Sequence, residues 1–107
     1  MTNPAPTPGT GDVWREILLA HAGWMPESLW FDCDARRDLG ITRYGVPLQR
    51  DNGRDHRLDA YEEALDLLAY VHAGRAPWWL RWAAVGVLLG AWWWKRAGRT
   101  TTPMEST

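Results

Sequence analysis

Four carboxylates fall within eight residues: Asp59, Glu62, Glu63 and Asp66. On a helix turning 100° per residue they share one arc, with Tyr70 one turn beyond Asp66. Such an arc does one of two things. It is a solvated face that keeps an otherwise apolar helix soluble, or it holds a hard cation. Carboxylates at i and i+3 place oxygen ligands on one side, which suits Mg²⁺. A metal there would relieve their mutual repulsion and could bind a phosphate ester. Glu63 and Asp66 are the first candidates for metal ligands, with Glu62 and Asp59 as further ones. The remaining reactive side chains point elsewhere. Cys33 sits between Asp32 and Asp34, whose charges disfavour a thiolate, so it reads as a small packing residue. A single cysteine excludes an intrachain disulfide and a cysteine-based zinc set. His21 reads as a helix-end histidine whose charged form the dipole favours. No catalytic set is assigned.

The carboxylates need a helix to position them, and the spacing predicts one over Arg57–His72. Leu58, Tyr61, Leu65, Leu68 and His72 form a 3-4-3-4 stripe, widened by Ala60, Ala64, Leu67 and Val71. Asp55 stands at its start, and Gly74 and Pro77 end it. Upstream, Asp12 is a predicted N-cap for Val13–Ala22, with Gly23 just past its end. Trp14, Ile17, Leu18 and Leu19 are its predicted buried side. Pro26 and Glu27 open one helical turn, and Asp34 caps a brief Ala35–Leu39 helix ended by Gly40. The segment from Ile41 to Arg54 has no steady period, and Asn52-Gly53 marks a turn. Residues 1–11 are uncharged and rich in proline, threonine and glycine, and read as a flexible or extended lead.

Two resemblances attach to the acidic helix. The run Glu63-Ala64-Leu65-Asp66-Leu67-Leu68-Ala69-Tyr70 resembles the E-x-x-D-x-x-x-Y helix of the MazG-like all-α nucleotide pyrophosphohydrolases. The resemblance implies Mg²⁺ held by Glu63 and Asp66, Tyr70 as a packing residue, and cleavage of nucleoside triphosphates to monophosphate and pyrophosphate. The upstream E-E-x-x-E helix of that family has no counterpart here; the first helix offers only Glu16. A wider run, Arg43-Tyr44-Gly45-Val46-Pro47-Leu48-Gln49, Asn52-Gly53-Arg54-Asp55 and Asp59 to Asp66, is similar to small uncharacterised bacteriophage proteins. It implies a phage or prophage source and no particular activity.

Beyond the acidic helix lies Trp78–Trp94, seventeen residues whose one charge is Arg81. At ~1.5 Å per residue it reaches roughly 25 Å, near the ~30 Å of a hydrocarbon core. Six of the nine tryptophans lie in it, toward its ends, as in an aromatic belt. Trp78, Trp79, Arg81, Trp82, Trp92, Trp93, Trp94, Lys95 and Arg96 are therefore the expected membrane-interface residues, with Arg81 snorkelling. Gly86 and Gly90 form a G-x-x-x-G pattern, a candidate helix–helix contact. An interfacial or protein-buried helix is the alternative to a span.

Charge divides the same way. Residues 1–74 carry 12 acids against 7 Lys/Arg, and residues 75–107 carry 5 Lys/Arg against Glu105. An acidic head lacks the continuous basic patch that nucleic-acid binding requires, so no nucleic-acid partner is expected. The start shows no leader pattern, and residues 1–75 are therefore expected on the cytoplasmic side. The expected fold is mainly α: a flexible lead (1–11), a small acidic helical domain (12–74), a single transmembrane helix (78–97) and a polar tail (98–107). The expected function is a non-enzymatic, single-pass, membrane-anchored interaction module with no cofactor, whose partners are the lipid bilayer and another protein or a second copy. The alternatives are a membrane-tethered pyrophosphohydrolase using Mg²⁺, and a holin-like protein that perturbs membranes.

Overall fold

In a computed structural model the chain is mainly helical. Four helices follow in order: α1 (Val13–His21), α2 (Glu27–Tyr44), α3 (His56–Ala73) and α4 (Trp78–Glu105). The structure describes residues 3–105, with side chains from 3 to 98; positions 1–2 and 106–107, the outer ends of the expected tails, lie outside the described residues. Among the described residues there is no strand. The chain divides into two compact units, one ending at Arg54 and the other beginning at Asp55.

In the first unit, Asp12 caps α1 as its position predicts, its Oδ1 accepting from the Arg15 N–H at 3.0 Å. α1 packs on α2. Leu18 is the buried residue of α1, whereas Leu19, expected on the same side, is exposed. The two differ by 100° on the helix, and α2 covers only one of those directions. α2 is continuous where one turn and a short Ala35–Leu39 helix are expected. Gly40 does not interrupt it: an internal glycine costs only ~1 kcal/mol against alanine. The stop comes at Gly45, in the left-handed region at φ 81°, with its N–H on the Ile41 carbonyl at 2.7 Å.

The proline-rich lead is not free in this fold. Thr10 and Arg50 exchange backbone hydrogen bonds at 2.8 and 2.9 Å, and the Thr7 N–H donates to the Asn52 carbonyl at 2.7 Å. The Thr7 hydroxyl donates to the same carbonyl at 2.9 Å, and the Gly9 N–H donates to Gln49 Oε1 at 3.2 Å. Asn52 is buried, and the turn it enters needs positive φ at Asp51 and Gly53. A Cβ on Gly9 would collide with the Arg50 carbonyl, so this close approach requires glycine.

The second unit is a helical hairpin. Asp55 caps α3, its Oδ1 accepting from Arg57 and Leu58 N–H groups at 3.1 Å each. α3 ends at Gly74, Arg75 turns the chain at φ 56°, and the Ala76 N–H returns to the Val71 carbonyl at 2.9 Å. α4 then runs back along α3, so the start of α3 meets the later part of α4. Ala64 and Val71 on α3 and Ala84 on α4 are the buried positions. The expected apolar stripe is therefore rotated: Leu65, Leu67 and His72 are exposed, while Tyr61, Leu68 and Ala64 turn inward. One helix covers only a narrow seam of another, and the small alanines bring the two axes close.

No helix among the described residues is long and apolar enough to cross a membrane, so the span expected over 78–97 is not found. α4 has the length, at 28 residues, and runs past Ala97 to Glu105. Its composition is the obstacle. Tryptophan rings carry a polar N–H and favour interfaces over hydrocarbon, and with Arg81, Lys95 and Arg96 they confine its uninterrupted aliphatic run to Ala83–Ala91.

Candidate functional site

The acidic arc of α3 points away from α4. Glu62, Glu63 and Asp66 are exposed, and none takes part in an ion pair among the described residues; Asp59 is half-buried. Tyr70, expected as a packing residue from the pyrophosphohydrolase resemblance, is 70% exposed. Among the described residues no group of three or more His, Cys, Asp or Glu side chains converges as a metal site. Glu63 and Asp66 thus stand as a pair on one helix, whereas Mg²⁺ calls for six oxygens in octahedral array. The helix packed on α3 has no acid before Glu105, and it lies on the opposite side.

The outward side of α4 is the reverse in character. Trp78, Trp79, Trp82, Leu89 and Trp93 are all more than half exposed, as is Val87. At 100° per residue, Trp78, Trp82, Leu89 and Trp93 fall within about 60° of arc. Gly86 and Gly90 open onto the same broad side: a Cβ on either would meet nothing within 4 Å. The G-x-x-x-G pair is therefore not used in the α3–α4 seam.

The cations expected at the two ends of the anchor do more local work. The Arg81 Nε donates to the Ala76 carbonyl at 2.8 Å, tying the first turn of α4 to the hairpin loop. At the other end, Arg57 donates to the Trp94 carbonyl at 3.1 Å and lies 5.2 Å from the Trp94 ring centroid. Lys95 sits 4.6 Å over the Tyr61 ring, and Arg96 lies 4.8 Å from that of Trp92. The Arg57–Trp94 and Lys95–Tyr61 contacts clamp the open end of the hairpin, whereas Arg96–Trp92 lies within α4. A Cβ on Gly98 would collide with the Arg57 guanidinium. Sequence reasoning missed the roles of Arg57 and Tyr61. Their i,i+4 spacing was visible, but their partners, Trp94 and Lys95, lie on the other helix of the hairpin, 37 residues from Arg57 in the first case.

In the first unit, Asp12 links α1 to α2. Its Oδ2 accepts from Arg37 Nε at 2.8 Å and pairs with Arg37 Nη2 at 2.8 Å. Burial pushes the Asp12 carboxyl up. The Arg37 and Arg15 hydrogen bonds and the charges of both arginines outweigh that, and hold it below the ordinary carboxylate value. The hydrogen bond to Asp12 raises Arg37 despite desolvation. Glu16 pairs with Arg50, the residue that also bridges to Thr10. His21 accepts from the Trp24 indole N–H at 2.9 Å, with the rings edge to face. Cys33 is half-buried on α2, and no disulfide engages it. These groups act within the unit and open no site of their own. Comparison with family models, with curated proteins and with solved structures returns no match, so the functional reading rests on the residues themselves.

Proposed function

We propose that this chain is a non-enzymatic, membrane-associated interaction module, in which α4 makes the lipid contact and the acidic face of α3 receives a protein partner. The observation that carries the reading is the polarity of the hairpin. Its two outer faces are opposite in chemistry: carboxylates on α3, tryptophans and aliphatic groups on α4. Tryptophan suits the headgroup boundary, where its ring is buried and its N–H remains solvated. A water-exposed face of this composition is costly to leave uncovered; at ~25 cal/mol per Å², covering even half of one tryptophan is worth ~2–3 kcal/mol. The carboxylates suit a cationic protein surface, because electrostatic complementarity sets the encounter rate and the choice of partner.

Flotation of the full chain with phosphatidylcholine–phosphatidylglycerol vesicles tests the lipid half. The expected result is co-flotation with a blue-shifted tryptophan emission. A chain that stays with the soluble fraction at every lipid concentration overturns the membrane reading. For the non-enzymatic half, incubation with each nucleoside triphosphate in Mg²⁺ is expected to release no pyrophosphate. Release that Asp66→Ala abolishes would replace the module by a pyrophosphohydrolase.

A further inference from the structure

Resting on the membrane reading above, we infer that α4 lies in the plane of one leaflet of an anionic bilayer, its Trp78–Trp82–Leu89–Trp93 side down, and does not cross it. The seam with α3 carries the argument. α3 runs antiparallel beside α4, so any path that takes α4 through the hydrocarbon takes the acidic face of α3 with it. Each carboxylate at mid-bilayer depth disfavours insertion roughly a hundredfold, and Glu62, Glu63 and Asp66 are all exposed on the lipid-facing side of such a pair.

In-plane binding removes that conflict. A helix with its side chains is ~10–12 Å across, so two stacked helices hold the carboxylates about 20 Å above the buried face. That exceeds the ~8 Å Debye length at physiological ionic strength, which screens them from anionic headgroups. The geometry matches an interfacial helix in its other features as well. The buried side is apolar and aromatic, and no acid lies between Arg75 and Glu105. Of the four cations here, Arg81 and Lys95 turn to the Ala76 carbonyl and the Tyr61 ring, whereas Arg75 in the loop and Arg96, which shares the arc of Trp78 and Trp82, are exposed where headgroup phosphates would meet them. The sign of the charge commits the partner to an anionic leaflet.

The test uses the full chain carrying Cys33→Ser and Glu63→Cys, bound to vesicles that are zwitterionic or contain 30% phosphatidylglycerol. A membrane-impermeant maleimide is expected to label position 63 as fast on vesicles as in solution. Binding is expected to be roughly tenfold or more stronger on the anionic vesicles and to weaken with salt. Trp82→Ser with Trp93→Ser is expected to lower partitioning at least tenfold with helicity by circular dichroism unchanged. Bound protein in which position 63 is shielded from the maleimide overturns the in-plane arrangement while leaving membrane association intact. Equal binding to both vesicle types overturns the anionic assignment. Failure to bind either, with a dimer by sedimentation that the Trp82→Ser and Trp93→Ser variant abolishes, assigns the face to a second copy and overturns the membrane reading itself.

Discussion

The two units are both helical, yet different forces hold them. Residues 3–54 are tied by directed polar contacts: Asp12 with Arg37, Glu16 with Arg50, and the backbone strap between Thr7–Thr10 and Arg50–Asn52. Their helices are poorly buried; α2 has no buried residue at all. The hairpin is held by close packing, with Ala64, Val71 and Ala84 at its seam and cation–π contacts at its open end. Polar ties are specific and sensitive to single atoms and to pH. A seam built on alanine tolerates charge changes on its outer faces but not added volume. That difference suits the proposed division of labour, because the hairpin leaves both of its outer faces free to change partners.

Substitutions at five positions probe this contrast, in decreasing order of expected effect. Ala84→Leu forces three extra carbons into the seam and should destabilise the hairpin by about 2–3 kcal/mol. Hydrogen exchange should show faster exchange in α3 and α4 with α1 unchanged; equal acceleration in both units would mean that they unfold together. Asp12→Ala removes both a cap and an ion-pair partner, for a loss of about 1–2 kcal/mol read by urea unfolding, confined to α1 and α2. The pH dependence of this contact has a definite sign. The folded carboxyl lies below its unfolded value, so its contribution is complete above the unfolded value and is lost as pH falls through the folded one. The first unit should therefore weaken on acidification below about pH 4, and Asp12→Asn should flatten that slope.

Gly45→Ala places a Cβ on a left-handed residue, and should cost about 1 kcal/mol in thermal unfolding. Gly40→Ala, inside the same helix, should instead stabilise by several tenths of a kcal/mol. The smallest effect belongs to the acidic arc. Asp66→Ala should change stability by less than about 0.5 kcal/mol, and millimolar Mg²⁺ should not shift the melting temperature of the wild-type chain. A rise in melting temperature with Mg²⁺ that Asp66→Ala removes would favour the metal-site reading.

Much of the local structure was legible beforehand, and the reasons are local. Asp12 and Asp55 announce helix starts because a short carboxylate reaches its own N2 or N3 amide. Asn52-Gly53 announces a turn because both residues accept positive φ. The exposed placement of Glu62, Glu63 and Asp66 follows from the 3.6-residue period alone. Three readings failed where the outcome depends on a competing or distant partner. Gly40 looked like a stop, but Gly45 sits where the helix can close on Ile41. Leu65 looked like core, but α4 approaches over Ala64. The lead to Gly11 looked free, but its carbonyl and amide groups find residues 40 or more positions away.

The tryptophan-bounded helix shows the same limit on a larger scale. Its residue types by themselves determine a helix with a broad apolar surface, interfacial aromatics and cationic flanks, since these follow from composition and period. Whether that helix stands apart or lies along an acidic neighbour is decided by the left-handed turn at Arg75 and by two alanines small enough to let α3 approach. Neither a single backbone angle nor a pairing between distant residues is encoded in any short window of sequence, so only the tertiary fold could set the carboxylates and the tryptophans on opposite sides of one hairpin.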